Sequence, residues 1–466
     1  MNNVSGKVAI VGAGISGLVT AYRLKKLGFD ADVIEASGRV GGVIESFRED
    51  GWLSEAGPHT YLETSPRIRE LVTAIGLESA LCEPGPEAKN RFIVRDGKTY
   101  SLPSSPMSFL KTPLFSASAK FRLLREPFIS RWDNSYEESL AGFVTRRLGQ
   151  EFLDYAINPF VSGVYAGNPG DLSVKSAFPK LFDLEQEYGS LIKGAILGAR
   201  KRKKQSETSK QRAKMYSFTK GMGQLAETLT KKILEQNIQT RTEVVTVSRE
   251  NNRWLLEWKS DDKKGTGEYD IVVSTVPLHR LPKIILEDKI FDSRRLQEVS
   301  YPPVSVLTMG FERDKVEHPL DGFGMLVPAV ENSSILGTLF TSTLFPGRAP
   351  EGYVTLASYV GGARNPESAK QPFELLRDNV LLDLQRFLGV QGSPVYVKHI
   401  LQPKAIPQYN VGYEHVRDIL DDLEKSQNGL FFAGNYRSGI SVSDCIVGGL
   451  ETADRVREQL SVNSKQ

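Results

Sequence analysis

Apolar and polar positions fall into three textures along the chain. Residues 7–12 (KVAIVG) form a nearly continuous apolar run, which predicts a buried strand. From Ile15 onward, Ile15, Leu18, Val19, Tyr22 and Leu24 recur at helical spacing, so a helix is predicted over Ile15–Leu27 and stopped by Gly28. Ala31–Glu35 reads as the second strand of a βαβ unit. Residues 91–100 (RFIVRDGKTY) read as a hairpin turning at Asp96 and Gly97. Between about 101 and 199 strand signals fade and Phe, Pro and Leu rise, predicting helices with short loops. Residues 200–214 (RKRKKQSETSKQRAK) are basic and poor in apolar side chains. They read as a solvated boundary loop, with contact to an anionic surface as the alternative. GMGQLAETLTKKILEQ, opened by Gly221, is an amphipathic helix. TEVVTVSRE, RWLLEWK and EYDIVVSTVP read as strands. So do VSVLTMGFE, GFGMLVP, SSILGTLFTS and GYVTLASYV, which suit a second, mostly antiparallel sheet. The C-terminus returns to α/β texture with a strand at Leu430–Ala433, a glycine-rich turn and a helix over Cys445–Leu460. No internal repeat is visible.

The length of 466 residues suggests two or three domains. With 40% hydrophobic and 25% charged residues, the chain is neither disordered nor a polytopic membrane protein. A net charge of +3, from 59 basic and 56 acidic residues, gives no field for nucleic acid. Cys82 and Cys445 cannot build a disulfide framework, so a reducing, cytoplasmic setting is expected. The five histidines lack metal-ligand spacing, so no metal is expected. No apolar run is long enough to span a bilayer, so any membrane contact would be peripheral. VAIVGAGISGLV mimics the core of a signal peptide, but its glycine spacing has a better account.

Gly12, Gly14 and Gly17 form GxGxxG between strand and helix. The first allows a tight turn, the second lets backbone approach a pyrophosphate, and the third lets helix and strand pack closely. Phosphate would then face the first helical turn, at Ile15 and Ser16. Glu35, ending the second strand and followed by Ala36, suits ribose hydroxyls and would repel a 2′-phosphate. Arg39, Gly41 and Gly42 follow, and the two glycines permit another close backbone approach. Near the C-terminus, Gly434 and Asn435 follow a strand. Gly439–Asp444, including Ser441 and Val442, enter a helix whose N–H groups can face negative charge. Cys445 reads as a buried small residue.

The ExxxRxGG extension in EASGRVGG resembles that of the FAD-dependent amine oxidase and porphyrinogen oxidase superfamily. Six further stretches resemble the oxygen-dependent protoporphyrinogen oxidases: AGPHTY (56–61), NRFIV (90–94), NPFVSGVYAGNPGDLSVKSAFPKLF (158–182), LEQEYGSLIKGAILGA (184–199), LGTLFTSTLFPGRAP (336–350) and the C-terminal flavin segment. The likeness runs over roughly 7–460. It implies a mixed α/β and α+β fold. A Rossmann-like FAD domain would be assembled from 1–88, 215–278 and 405–462. A substrate domain with a mostly antiparallel sheet would comprise 89–100 and 279–404, and a helical domain over 101–214 would dock peripherally on a membrane. It also implies a homodimer. The loop Gly57, Pro58, His59 and Thr60 would run near the flavin, with no catalytic role given to His59. Val245 would pass the adenine, although a valine there equally suits the core.

The implied substrate is an apolar macrocycle with two propionates on one edge. Arg91 matches the position that binds a propionate. Arg95 shares its strand face and reads as solvated. Gly163 matches a glycine whose backbone approaches substrate, and also suits a helix kink. Leu336 and Leu356 match positions that clamp the macrocycle, and both equally suit ordinary core. No side-chain base is required. The flavin takes hydride from a methylene bridge, and O2 reoxidises it to give hydrogen peroxide in three rounds that remove six electrons. Coproporphyrinogen III, with four carboxylates, is the rival substrate. An amine oxidase or carotenoid desaturase is less well matched, since Lys315 and Lys398 sit in ordinary settings rather than poised at a flavin. A non-catalytic FAD scaffold is the reading from another class.

Overall fold

The computed structural model describes residues 6–132, 136–202, 213–233, 237–261, 263–286 and 289–463. The apolar run Lys7–Val11 is the centre of a five-stranded parallel sheet. Its order is Ile238–Gln239, Asp30–Ile34, Lys7–Val11, Ile271–Ser274 and Leu430–Phe432. Four widely separated stretches of sequence therefore meet in one layer. Helix Ile15–Lys26 covers one face, burying Leu18, Val19 and Leu24 against Val8 and Ile10. Helix Val442–Asn463 lies beside it, and the Thr20 hydroxyl donates to Gly449 O at 3.1 Å. The C-terminal helix thus starts three residues earlier than the apolar pattern indicates.

The opposite face of this sheet, carrying Ala9, Val11, Val272 and Phe432, packs on Val247, Trp254 and Leu256 of a second sheet. That sheet runs Lys263–Tyr269, Arg253–Ser260, Glu243–Glu250, Lys283–Leu286 and Lys289–Ile290. The single strand read in EYDIVVSTVP is in fact two. The chain leaves the second sheet at Tyr269 and enters the parallel sheet at Ile271. The break is at Asp270, whose carboxylate accepts the Lys7 N–H at 2.7 Å. A polar residue inside an apolar run marks the switch.

The third sheet has seven strands in the order Tyr396–Gln402, Val304–Glu312, Tyr353–Gly361, Ile335–Phe340, Gly322–Leu326, Asn90–Arg95 and Lys98–Ser101. Neighbours are antiparallel except Gly322–Leu326 with Asn90–Arg95, so the expected mostly antiparallel sheet is present. One face buries Phe92, Met309, Phe340 and Leu356 against Leu376, Val380 and Leu384 of helix Phe373–Leu388. The other faces helix Asn158–Tyr165, where Gly163 meets Leu326.

Residues 101–202 are helical in the main, including Pro106–Lys111, Ala117–Leu124, Leu140–Arg147, Pro179–Tyr188 and Leu191–Arg202. The last of these corrects the basic segment. Residues 200–202 continue a helix, because a lysine- and arginine-rich stretch has good helix propensity, and 203–212 lie outside the described residues. Buried charge holds these helices together. Arg147 is 0% exposed and pairs with Glu126 at 3.1 Å and with Glu185. Glu126 also accepts the Leu191 N–H at 2.9 Å and the Ser190 hydroxyl, so it starts the helix Leu191–Arg202. Arg146 adds bonds to Glu138 and Glu185. No described helix is long and apolar enough to cross a membrane.

Removing one member of such a network leaves buried carboxylates without a counter-charge. Arg147→Ala is expected to lower stability by about 3–5 kcal/mol in urea denaturation. A loss under about 1 kcal/mol would mean that water replaces the guanidinium freely.

Candidate functional site

The dinucleotide turn is built by close backbone contact. Gly12 has φ +105°, and its N–H donates to Ile34 O at 2.8 Å. A side chain at Gly17 would bring Cβ within 2.1 Å of Gly12 O. Gly14, the residue before the helix, makes no side-chain cap, and open space lies where its Cβ would be. The first-turn N–H groups at Ile15 and Ser16 are therefore offered to a ligand rather than to a capping oxygen. Gly41 bridges to Gly14, and its N–H donates to Ala13 O at 2.8 Å, so Gly41 and Gly42 form the second side of the same cradle. Arg39 braces that side through Gly42 O at 2.6 Å and Glu45 at 3.2 Å.

Glu35 stands just beyond the second strand. One of its oxygens accepts the Ala13 N–H at 2.7 Å and the other accepts the Ser37 N–H at 2.8 Å. Ala36 lies between those contacts. Each oxygen keeps a lone pair for a hydroxyl. Val245 falls at a register shift between Val244 and Thr246 and is 42% exposed, so its backbone is not used in the ladder with Arg253–Ser260. It is a half-open position rather than core.

The loop Gly57, Pro58, His59 and Thr60 connects strand Trp52–Glu55 to Tyr61–Leu62. It is tied to the C-terminal helix, where Leu62 N–H donates to Ser443 Oγ at 2.9 Å and Ser443 Oγ donates to Leu62 O at 2.6 Å. His59 is buried with Nε2 unpaired among the described residues, and burial, aided by Arg348, pushes its pKa down to about 3. In the glycine-rich turn, Tyr409 donates to Asn435 O and Tyr413 donates to Tyr436 O at 2.6 Å. Gly434 has φ +139°. Ser441 caps the helix by accepting the Asp444 N–H at 3.1 Å, which leaves Val442 as its first residue. Cys445 and Cys82 are both buried, and neither is in a disulfide.

On the seven-stranded sheet, Arg91 is exposed and its guanidinium stands 5.3 Å from the Phe323 ring centre. No carboxylate pairs with it among the described residues. Arg95, by contrast, is not solvated. It is half-buried and bonded to Glu151 and to Leu114 O, both at 2.6 Å, because helices of the 101–202 region close over it. Leu336 packs with Ala166, Val304, Val306 and Tyr359 on the face toward helix Asn158–Tyr165. Leu356 is on the other face, in the core beneath helix Phe373–Leu388, so the structure does not bring the two leucines together. A Cβ at Gly163 would lie 2.4 Å from a terminal methyl of Leu326, so helix and sheet pack closely here and a larger residue would displace that side chain. Lys315 is exposed at the far end of the sheet, and Lys398 lies over the Phe47 ring.

Three contributors escaped sequence reasoning. Thr275 donates to Gly12 O at 2.9 Å and buttresses the turn. Arg348 is buried, with bonds to Ser217 Oγ and Phe218 O. Glu55 accepts from Ser46 and from Met222 N–H, and burial pushes its pKa up to about 7 against those bonds and Arg348. Only the GRAP tetrapeptide around Arg348 offered a signal, since a cation there is flanked by turn residues.

An uncapped helix start facing a paired glycine turn, joined to a separate sheet where Arg91 has no carboxylate partner among the described residues, fits a flavoprotein oxidoreductase. The chain belongs to the flavin containing amine oxidoreductase family, which matches residues 15–457. It is 38% identical to protoporphyrinogen oxidase 2, chloroplastic/mitochondrial, of Arabidopsis thaliana, over 97% of this chain and 94% of that protein. It is 28% identical to coproporphyrinogen III oxidase of Bacillus subtilis, over 96% and 97%. A crystal structure from Exiguobacterium sp. 255-15 shares the fold with a TM-score of 0.80 at 24% identity, covering 97% of this chain and 99% of that one. The cofactor is FAD, which the uncapped N–H groups and the open space at Gly14 fit.

If Glu35 holds the ribose, Glu35→Ala will lower FAD occupancy severalfold after gel filtration, read from the ratio of flavin to protein absorbance. Full yellow occupancy in that variant would contradict the assignment.

Proposed function

We propose that this protein oxidises protoporphyrinogen IX to protoporphyrin IX with O2 as acceptor. Near-full-length likeness to a plant protoporphyrinogen oxidase carries the substrate choice. Coproporphyrinogen III is the second reading, favoured by the likeness to the Bacillus subtilis protein. Three O2 reduced to three H2O2 balance the six electrons and six hydrogens removed.

In this reading the parallel sheet with its covering helices is a Rossmann-like FAD domain. Ile15, Ser16, Gly14, Gly41 and Gly42 hold the pyrophosphate, Glu35 the ribose, and Val245 the adenine side. The loop 57–60 and the turn from Gly434 to Val442 enclose the ring system. Bound FAD would supply a hydride acceptor for the substrate and a route for the electrons to O2. The chain's own residues orient and exclude water. Helix Asn158–Tyr165 and Leu336 give apolar walls. Arg91, free of a carboxylate, anchors a propionate at the rim, since a buried carboxylate needs a cation or donors. Burial keeps His59 uncharged at neutral pH, so it adds no positive charge beside the ring system.

The helical region is proposed to dock on a membrane surface. Its helices Pro106–Lys111 and Ala117–Leu124 and the turn after them expose Met107, Leu110, Phe121, Leu124 and Phe128, the last 86% accessible. Large apolar side chains in one short stretch mark an interaction site, and Lys111, Lys120, Arg122 and Arg125 interleave with them. The resemblance to porphyrinogen oxidases supports a homodimer.

Purified enzyme offered both porphyrinogens is expected to turn over protoporphyrinogen faster by porphyrin fluorescence. Faster turnover of coproporphyrinogen would overturn the choice. Arg91→Ala should raise KM about tenfold with FAD retained, and an unchanged KM would remove Arg91 from the site. The protein should float with liposomes containing anionic lipid, and Phe128→Ser combined with Phe121→Ser should weaken that. Failure of the unmodified protein to float would refute docking.

A further inference from the structure

We propose that Arg364 is a second carboxylate-binding site of the substrate slot, taking a propionate of the porphyrinogen and of the porphyrin product. This rests on the porphyrinogen reading above and names a group that the resemblance did not supply.

Arg364 follows strand Tyr353–Gly361 and turns toward helix Asn158–Tyr165. One terminal nitrogen, Nη2, donates to three neutral acceptors: Val327 O at 2.8 Å, Ser162 Oγ at 3.0 Å and Asn158 Oδ1 at 3.3 Å. These bonds fix the plane of the guanidinium. The other two nitrogens, Nε and Nη1, are buried and unpartnered among the described residues. No carboxylate there pairs with this arginine. Burial alone pushes its pKa down to about 10, with no opposing charge.

The other enclosed arginines show how unusual this is. Arg147, Arg146 and Arg95 each have two carboxylates. Arg348 lacks a contact carboxylate but has Glu55 in electrostatic range. A buried guanidinium with no counter-charge is costly, and an arriving anion removes that cost.

Its surroundings identify the anion. Ser162 adjoins Gly163, Val327 N–H donates to Leu336 O at 3.0 Å, and Ala363 N–H donates to Ala166 O at 2.7 Å. The cation therefore sits where helix Asn158–Tyr165 closes on the sheet, beside Leu336 and Ala166. Arg91 lies on a different strand of the same sheet, beyond Phe323. Two guanidinium groups at separate points along this face of the sheet, with Leu336 and Ala166 beside one of them, suit a greasy ring bearing more than one carboxylate.

The test uses FAD-loaded enzyme and two forms of one macrocycle, the free acid and the dimethyl ester. Steady-state KM is measured with protoporphyrinogen, and Kd for protoporphyrin by fluorescence quenching without turnover. Arg364→Gln is expected to weaken the free acid about tenfold in both measures, leaving the ester and FAD occupancy unchanged. Equal loss for acid and ester, or no loss for the acid, would overturn the proposal by showing a clip between helix and strand. Should Arg364→Gln misfold, Arg364→Lys keeps the charge and carries the same acid-against-ester comparison. Unmodified enzyme that oxidises no porphyrinogen would instead refute the functional reading, whereas an active enzyme with no acid-specific loss refutes only the role of Arg364.

Discussion

The site depends on one close approach, that of the helix Ile15–Lys26 to the turn before it. Gly17 and the carbonyl of Gly12 are so near that no side chain fits between them. That contact sets the helix start directly beyond the strand end, with its N–H groups uncapped. Everything nearby is arranged around it. Thr275 fixes the Gly12 carbonyl from the neighbouring strand, and Gly41 returns the chain to Ala13. The C-terminal helix then packs on the same helix, with Gly449 close to Ser16 O, and Ser443 secures the loop that carries His59. Segments more than 380 residues apart are held in register by a few hydrogen bonds and glycine contacts.

Elements with a local signature were legible in the sequence. The apolar run at Lys7, the helical spacing from Ile15 and the Asp96-Gly97 turn all describe interactions within a short stretch, and the structure has them. Features set by distant partners were not legible. Nothing in the run around Asp270 states that its two halves belong to different sheets, because the Lys7 N–H that Asp270 accepts lies 263 residues away. Leu336 and Leu356 look alike as strand leucines. Register shifts at Ile335 and the alternation of the sheet send them to opposite faces. The strands Lys283–Leu286 and Lys289–Ile290 are only four and two residues long, too short for a clear pattern; Glu243–Glu250 supplies the pairing for the first, and the first for the second.

Charge in the interior follows a consistent economy. In the helical region each enclosed arginine meets carboxylates, which fixes the packing of helices too short to be stable alone. Arg95 joins the sheet to that region through Glu151 and Ser116, whose hydroxyl and N–H also bond the same carboxylate. On the sheet face toward helix Asn158–Tyr165 this pattern is broken. Arg91 and Arg364 have no carboxylate partner among the described residues, and the carbonyl and hydroxyl oxygens around Arg364 orient it without neutralising it. The charge buried unpaired at Arg364 costs stability, a cost that a bound anion would recover.

The same region is otherwise quiet in titration near neutral pH. Burial holds His59 far below neutrality and holds the Tyr359 phenol well above its ordinary range, so neither changes charge in the working range of most enzymes. Glu55 is the exception near pH 7, yet its two oxygens are occupied by Ser46 and the Met222 N–H at the start of helix Gly223–Ile233. A carboxylate engaged in that way is poorly placed to shuttle protons to a ring. The protein therefore contributes position, exclusion of water and fixed positive charge. A reaction driven by gain of conjugation in the product asks for those three things and for little acid–base catalysis by side chains.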